Sequence, residues 1–454
     1  MKQAIALYFI FCLLAIGTVG SQPTSTPLQG RIDTGTDKGA REIRFALPEF
    51  QPKSGDPATV KLITLFNQVL WNDLDYSGNI TLVNRSFYPL GRFQNESDIR
   101  VDDWTKPAVN AQFMAFGNAE IKGGELLVQA HLWDLGVVQN RELGKQFGSG
   151  GLTEDSVRNV AHTFADYIVD TLFNGKFGIS RTKIAYVVTT NVATNTKEIF
   201  FMDYDGANPQ QLTTYRTTSF LPTWSPDGEK LAFITYRHRG AVNLEIMSTI
   251  DRRPYPFASV GPGTIGSPAW SPDGSQIAFF SSREGNSEIY VADWNGRNLK
   301  RLTVSPKSID VSPTWSRTGR QLAFVSDRSG SQQIYIMDVE GTNPQRIINE
   351  GGDTAYPAWS PDGQRIVFSW LRPGSGRYDL YVHELATGKN IQLTRNQGTN
   401  ERPTWAPDGR HLAFYSDRTG SSQIYTMLVS NEKVRQLTKT GINEGPAWST
   451  YIGK

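Results

Sequence analysis

The feature that most constrains this chain is a tryptophan that recurs at nearly fixed spacing. Pro-x-Trp occurs at Trp224, Trp270, Trp315, Trp359, Trp405 and Trp448, with intervals of 46, 45, 44, 46 and 43 residues. Four copies continue as [Ser/Ala]-Pro-Asp-Gly, ending at Gly228, Gly274, Gly363 and Gly409, and the Trp315 copy drifts to Ser316-Arg317-Thr318-Gly319. A short apolar run follows each copy, such as Leu231-Ala232-Phe233 or Ile277-Ala278-Phe279. An alternating run (Glu288-Ile289-Tyr290-Val291) and a short segment ending Arg301-Leu302-Thr303 complete the unit. Runs of this length, rich in β-branched and aromatic residues, read as four strands. Ser-Pro-Asp-Gly suits a type I turn, with proline pre-setting φ and glycine at the fourth place. One such sheet cannot bury both its faces. Stacked around an axis, several can, and a four-stranded repeat of this period is the signature of a β-propeller.

The two ends of the repeat set the number of blades. Lys183–Tyr186, Glu198–Met202 and Gln210–Thr213 resemble second, third and fourth strands with no first strand before them. Gly445–Ser449 resembles a first strand with no unit after it. The fragments complement each other, so the last strand is expected to complete the first blade and close a six-bladed ring. A linear array would leave both as open edges, which proteins avoid.

Residues 31–177 lack the repeat. Leu62, Phe66, Val69, Leu70 and Leu74 define one face of a helix over Ala58–Leu74, ended by Ser77-Gly78. Val157, Val160, Phe164, Ile168 and Leu172 do the same over Glu154–Phe173. Phe113–Phe116 and Leu126–Leu132 read as strands joined at Gly123-Gly124. The expected fold is a small α/β N-terminal domain (mixed sheet plus helices) over 31–177, then an all-β six-bladed β-propeller over 178–454.

Ahead of both, Lys2, the apolar run Ala4–Ile16 and small residues before Ser21 read as a secretory signal over 1–20. The run is short for a membrane span. Ser21–Gly30 is rich in Ser, Thr, Pro and Gln and reads as a flexible segment. The single cysteine, Cys12, lies within the signal, so a mature chain starting at Ser21 has no disulfide, thiolate metal site or cysteine nucleophile.

The formal net charge of +2 and the lack of long basic runs argue against a nucleic-acid partner. No Gly-x-Ser-x-Gly elbow is present, and the five histidines lack metal-ligand spacing. Catalysis is therefore not expected, nor is a cofactor or metal. The tryptophans and Ala-Phe pairs read as packing between blades, and the recurrent aspartates Asp227, Asp273, Asp362 and Asp408 as turn residues. Recognition is expected in the loops that enter the first strands, which differ between blades. They carry Thr264, Ser267, Asp310, Ser312, Asp353, Tyr356, Asn400, Arg402 and Glu444. A propeller that binds a sugar or peptidoglycan fragment is the competing reading, and it requires exposed tryptophans.

Together with the repeats, Leu74–Ile80 (LDYSGNI), Ala161-His162-Thr163, Asp166, Gly178–Val187 (GISRTKIAYV) and Arg31-Ile32-Asp33-Thr34-Gly35 resemble the TolB family of the Tol–Pal cell-envelope system. The resemblance implies a periplasmic protein-binding scaffold, monomeric and without a span of its own. It implies that the propeller mouth binds the lipoprotein Pal, at the positions of Thr264, Ser267, Ser312, Tyr356 and Arg402. It implies that the mature N-terminus, at Arg31, Ile32 and Asp33, contacts the inner-membrane protein TolA. Other envelope proteins are further candidate partners. The implied role is envelope integrity and outer-membrane constriction at division.

Overall fold

The computed structural model describes residues 43–450 apart from 79, 137–140, 174–177 and 239–240. The predicted signal, the segment 21–30 and Arg31, Ile32 and Asp33 lie outside the described residues. No described helix is long and apolar enough to cross a membrane.

The N-terminal part is a mixed sheet with its two long helices on one face. Its elements are β1 (Ile43–Ala46), β2 (Gln51–Pro52), α1 (Pro57–Tyr76), β3 (Ile80–Leu82), α2 (Val101–Thr105), β4 (Phe113–Lys122), β5 (Glu125–Asp134), β6 (Arg141–Gly148) and α3 (Glu154–Phe173). The sheet order is β3-β1-β4-β5-β6, with β2 also pairing β4. β1 runs parallel to β3 and β4, and β4-β5-β6 is an antiparallel meander. Asp56 caps α1, its Oδ1 accepting from Thr59 N at 2.8 Å, and Pro57 opens the first turn. The predicted apolar stripes of α1 and α3 are buried together against β1, β4 and β5. Phe66 and Phe164 meet Phe50 edge-on, with ring centroids 5.3 and 5.7 Å away. The opposite face of the sheet is covered by the segment after β3, where Trp104 packs with Met114, Phe116 and Trp133. The strands missed from sequence are β1, β2, β3 and β6. The first three are too short to display a period, and parallel pairing gives them no tight turn to betray them.

The propeller has six four-stranded blades. Five come from consecutive units, with first strands Ser219–Trp224, Ile265–Trp270, Asp310–Trp315, Asp353–Trp359 and Asn400–Trp405. The remaining sheet joins the C-terminal strand Asn443–Trp448 to Lys183–Asn191, Thr196–Asp203 and Gln210–Gln211. Its register sets Glu444 opposite Val187 and Trp448 opposite Ile184. The ring thus closes as the complementary fragments predict.

Four of the six repeated tryptophans, Trp224, Trp270, Trp315 and Trp405, reach out of their own blade. Trp224 Nε1 donates to the Ala447 carbonyl at 3.0 Å, Trp315 to Ala269 at 3.0 Å and Trp405 to Ala358 at 3.1 Å. Trp270 donates to Thr223 at 3.3 Å. Trp448 donates to Thr182 Oγ1 at 2.8 Å, just before the second strand of its own blade. Trp359 instead donates within its own blade, to Gly363 at 3.1 Å, and is half-buried. Burying the indole between sheets while satisfying its N–H accounts for the repeat. The Ser-Pro-Asp-Gly turns form as expected. In the first of them Gly228 N donates to Ser225 O at 2.9 Å, and Gly228 has φ 73°.

Candidate functional site: the propeller mouth

First strands line the axis. Each is interrupted by a β-bulge at the proline of Pro-x-Trp, because proline has no N–H for the ladder. The residue before that proline adopts positive φ in every blade: Leu221 56°, Ser267 49°, Ser312 53°, Tyr356 53°, Arg402 50° and Gly445 53°. These six positions, with the prolines and the residues beyond them, ring an axial channel of about 210 Å³. Left-handed backbone is costly for residues other than glycine, and where a fold retains it the position merits a functional reading.

The ring is chemically uneven. Only Arg402 is charged, and its guanidinium stacks on Tyr356 with Cζ 4.1 Å from the ring centroid. A cavity of about 540 Å³ opens beside Arg402, bounded by Lys197, Phe220, Leu221, Tyr236, Tyr415 and Glu444. Phe220 and Tyr236 stack there at 6.0 Å. Lys197 Nζ donates to Glu444 Oε2 at 2.6 Å. Burial raises the Glu401 carboxyl above its ordinary value, and Tyr415 and Arg402 only partly offset this. Burial, and then the charge of Glu401, push the Tyr415 hydroxyl up. The two longest second strands, Lys183–Asn191 and Lys230–His238, carry Val187 and Tyr236 into this wall.

The predicted residues divide into three groups. Ser267, Ser312, Tyr356 and Arg402 stand together in the ring, and Glu444 borders the adjoining cavity. Thr264 is exposed, its N–H donating to Ser282 Oγ at 2.9 Å, and Asp353 is half-buried, accepting from Gln332 N at 3.1 Å. Asp310 and Asn400 need correction as recognition residues, because both are fully buried. Asp310 Oδ2 accepts from Arg328 at 2.8 Å, and Asn400 Oδ1 accepts from Arg418 at 2.6 Å. Those arginines close the sequences Ser326-Asp327-Arg328 and Ser416-Asp417-Arg418, each donating through Nε to its own serine. Leu221 and Gly445 were missed, although each occupies the same place before Pro-x-Trp. Lys197, Tyr236 and Tyr415 left no sequence signal, since only ring closure brings their blades together.

Five of the six repeated tryptophans are buried, which removes the aromatic platform that the sugar-binding reading requires. Among the described residues, His162, Asp203 and Asp205 are grouped closely enough to suggest metal ligation. Both carboxylates are already paired, Asp203 with Lys183 and Asp205 with Arg158.

A rigid ring that presents variable side chains around one mouth defines a binding scaffold. The family models agree with the architecture. The TolB amino-terminal domain matches residues 34–143, and the TolB beta propeller domain matches 171–355 and 346–452. The chain belongs to the TolB family, which is not an enzymatic one. It is 33% identical over 267 residues to the "Tol-Pal system protein TolB" of Desulfosudis oleivorans, covering 58% of each chain. Against the protein of that name from Bordetella pertussis it is 35% identical, over 53% of this chain and 52% of that one. The matched stretch thus spans little more than half the length of these relatives. The crystal structure of TolB from Acinetobacter baumannii superposes with a TM-score of 0.74 at 22% identity, over 90% of this chain and 97% of that one, which speaks to the fold alone.

Proposed function

We propose that this protein is the periplasmic scaffold of a Tol–Pal system, seating the lipoprotein Pal on the propeller mouth and engaging TolA through its N-terminal segment. The observation that carries the reading is the ring of inward-turned, blade-specific side chains, held at a cost in backbone energy that packing alone does not require. The relatives' shared name supports the system, and the family resemblance supplies the partners. In this reading residues 1–20 direct export and are removed, 31–177 and 178–454 are the two domains, and the mature protein works as a monomer. Arg31, Ile32 and Asp33 would contact TolA. By holding both partners the scaffold would link the two membranes, serving envelope integrity and constriction at division.

The test is a binding titration of residues 21–454 against the soluble domain of Pal from the same organism, repeated with Tyr356→Ala and Ser312→Tyr. Binding that both substitutions weaken, at unchanged thermal stability, supports the partner and the face. Absence of binding by the unmodified chain sinks the Pal assignment. Undiminished binding by both variants moves the contact off the mouth.

A further inference from the structure

Arg402 is the single cation in the channel ring, and its hydrogen-bonding capacity is unspent. Stacking on Tyr356 fixes the plane of the guanidinium. Its N–H donors point outward from the edge of that plane, in a fork that matches a carboxylate. Among the described residues no hydrogen bond or ion pair engages them. The residue is half-buried, where unengaged donors are costly. The neighbouring acids do not take up its donors: Glu444 is taken by Lys197, and Glu401 feels the Arg402 charge without a hydrogen bond or ion pair to it. The cavity beside Arg402 holds a side chain and its flanking backbone, whereas the channel beneath is too small for a folded chain. Phe220 and Tyr236 give that cavity one apolar wall.

We propose that Arg402 is the seat for a carboxylate of the protein partner, an Asp or Glu side chain on a protruding segment that also lays an apolar residue against Phe220 and Tyr236. The inference rests on the binding role proposed above and gives that role its chemistry. A singly charged carboxylate fits better than a phosphate, because a second negative charge would face Glu444 across the same pocket. Replacing the residue with lysine keeps the charge but loses the planar fork, so charge alone does not reproduce the seat.

The first experiment titrates the soluble domain of Pal against Arg402→Met and Arg402→Lys. Both are expected to weaken binding by about ten- to a hundredfold, Met more than Lys. Arg402→Glu is then screened against single Asp or Glu to Lys changes in Pal, and one of these is expected to restore affinity. Full affinity in Arg402→Met overturns the seat and leaves the binding role standing. Failure of the unmodified chain to bind Pal removes that role, and a second measurement then decides the seat by itself. The Arg402 Nε–H resonance, assigned with Arg402→Lys, is followed while acetyl-Asp-Phe-amide, its Asn counterpart and the stem tripeptide L-Ala–D-Glu–diaminopimelate are added in turn. A shift with the Asp peptide alone supports the proposal. No shift with any carboxylate overturns it. A shift with the stem peptide alone overturns the protein-segment reading in favour of a cell-wall fragment.

Discussion

The residue before each Pro-x-Trp combines two roles that conflict energetically. Its side chain must enter the channel, and to do so Leu221, Ser267, Ser312, Tyr356 and Arg402 hold a left-handed backbone. Such a conformation costs an ordinary residue about 1–2 kcal/mol, and glycine nearly nothing. Ser312→Gly is therefore expected to stabilise the fold by about 0.5–1 kcal/mol, after allowing for the greater freedom of glycine in the unfolded chain. Urea denaturation measures it, and a loss of stability would show that the Ser312 side chain contributes more than its backbone costs. The tryptophans permit a second comparison at this scale. Trp315→Phe removes an N–H that bridges blades, whereas Trp359→Phe removes one that stays within its blade. The first should cost about 1–2 kcal/mol and the second distinctly less. Equal losses would mean that ring volume, and not the bridging bond, makes the repeat necessary.

Two elements hold the molecule shut. The C-terminal strand Asn443–Trp448 supplies the missing edge of the first blade, and Trp448 is buried in the cluster that includes Ile184, Met202 and Tyr76. Trp448→Ala should cost about 3–5 kcal/mol. It should also make the first blade the earliest site of proteolysis; cleavage that begins elsewhere would show that this strand is not the clasp. The other element is the C-terminal end of α1, which plugs the junction between the last blade and the first. Tyr76 Oη donates to Thr426 Oγ1 at 2.8 Å, and His411 Nε2 donates to the Tyr76 carbonyl at 2.7 Å. Gly78, at φ 69°, leaves room for Leu428, whose Cδ2 would lie 2.7 Å from any added Cβ.

The same seam carries titratable groups. His162 Nδ1 donates to Asp73 Oδ2 at 2.7 Å, and Tyr204 Oη donates to Asp73 Oδ1 at 2.6 Å. Burial alone would lower the His162 pKa, but the charge and hydrogen bond of Asp73 outweigh it, so the net shift is upward from 6.5. A raised folded value contributes stability that is complete below the ordinary histidine value and is lost as pH rises through the folded one. Asp408 is the mirror case. Burial would raise it, yet the charge of His411 and their 2.5 Å contact hold it below 3.8, so its contribution is present above that value and lost as pH falls. The melting temperature should therefore decline on both the alkaline and the acid side. His162→Gln should flatten the alkaline limb alone, and an unchanged alkaline limb in that variant would assign the slope to another group.

At the scale of the whole molecule, the N-terminal domain bridges the two blades where the ring is sewn together. Asp73 meets Tyr204 in the first blade, Asp75 pairs with Lys433 at 2.7 Å in the last, and Arg435 lies over the Tyr76 ring at 3.6 Å. The domain should therefore brace the closure. A propeller expressed as residues 178–454 should melt below the propeller of the full chain, and the full chain should unfold in one transition. Two separate transitions in the full chain, by calorimetry, would show that the seam transmits no stability between the domains.

The repeat, the blade count, the closing strand and the long helices were legible because each rests on local chemistry: a turn sequence, a period, a stripe. Fragments at the two ends of the repeat required a ring before any contact was known. The site was legible only to the level of the segment that carries it, which the structure shows to be the first strand rather than the loop before it. Within the strand Asp310–Trp315, Asp310 and Ser312 stand two residues apart, and only the bulge and the Arg328 pairing decide that Asp310 is buried while Ser312 faces the channel. The left-handed turn before proline runs against the local preference of such a residue for extended backbone, so no propensity could announce it. The cavity beside Arg402 draws on the first, second and last blades. Residues so far apart in sequence share a surface only after the ring has closed. The sequence by itself determined the scaffold, because strand and turn energies are local. The tertiary structure alone decided what the scaffold presents, because presentation depends on which blades become neighbours.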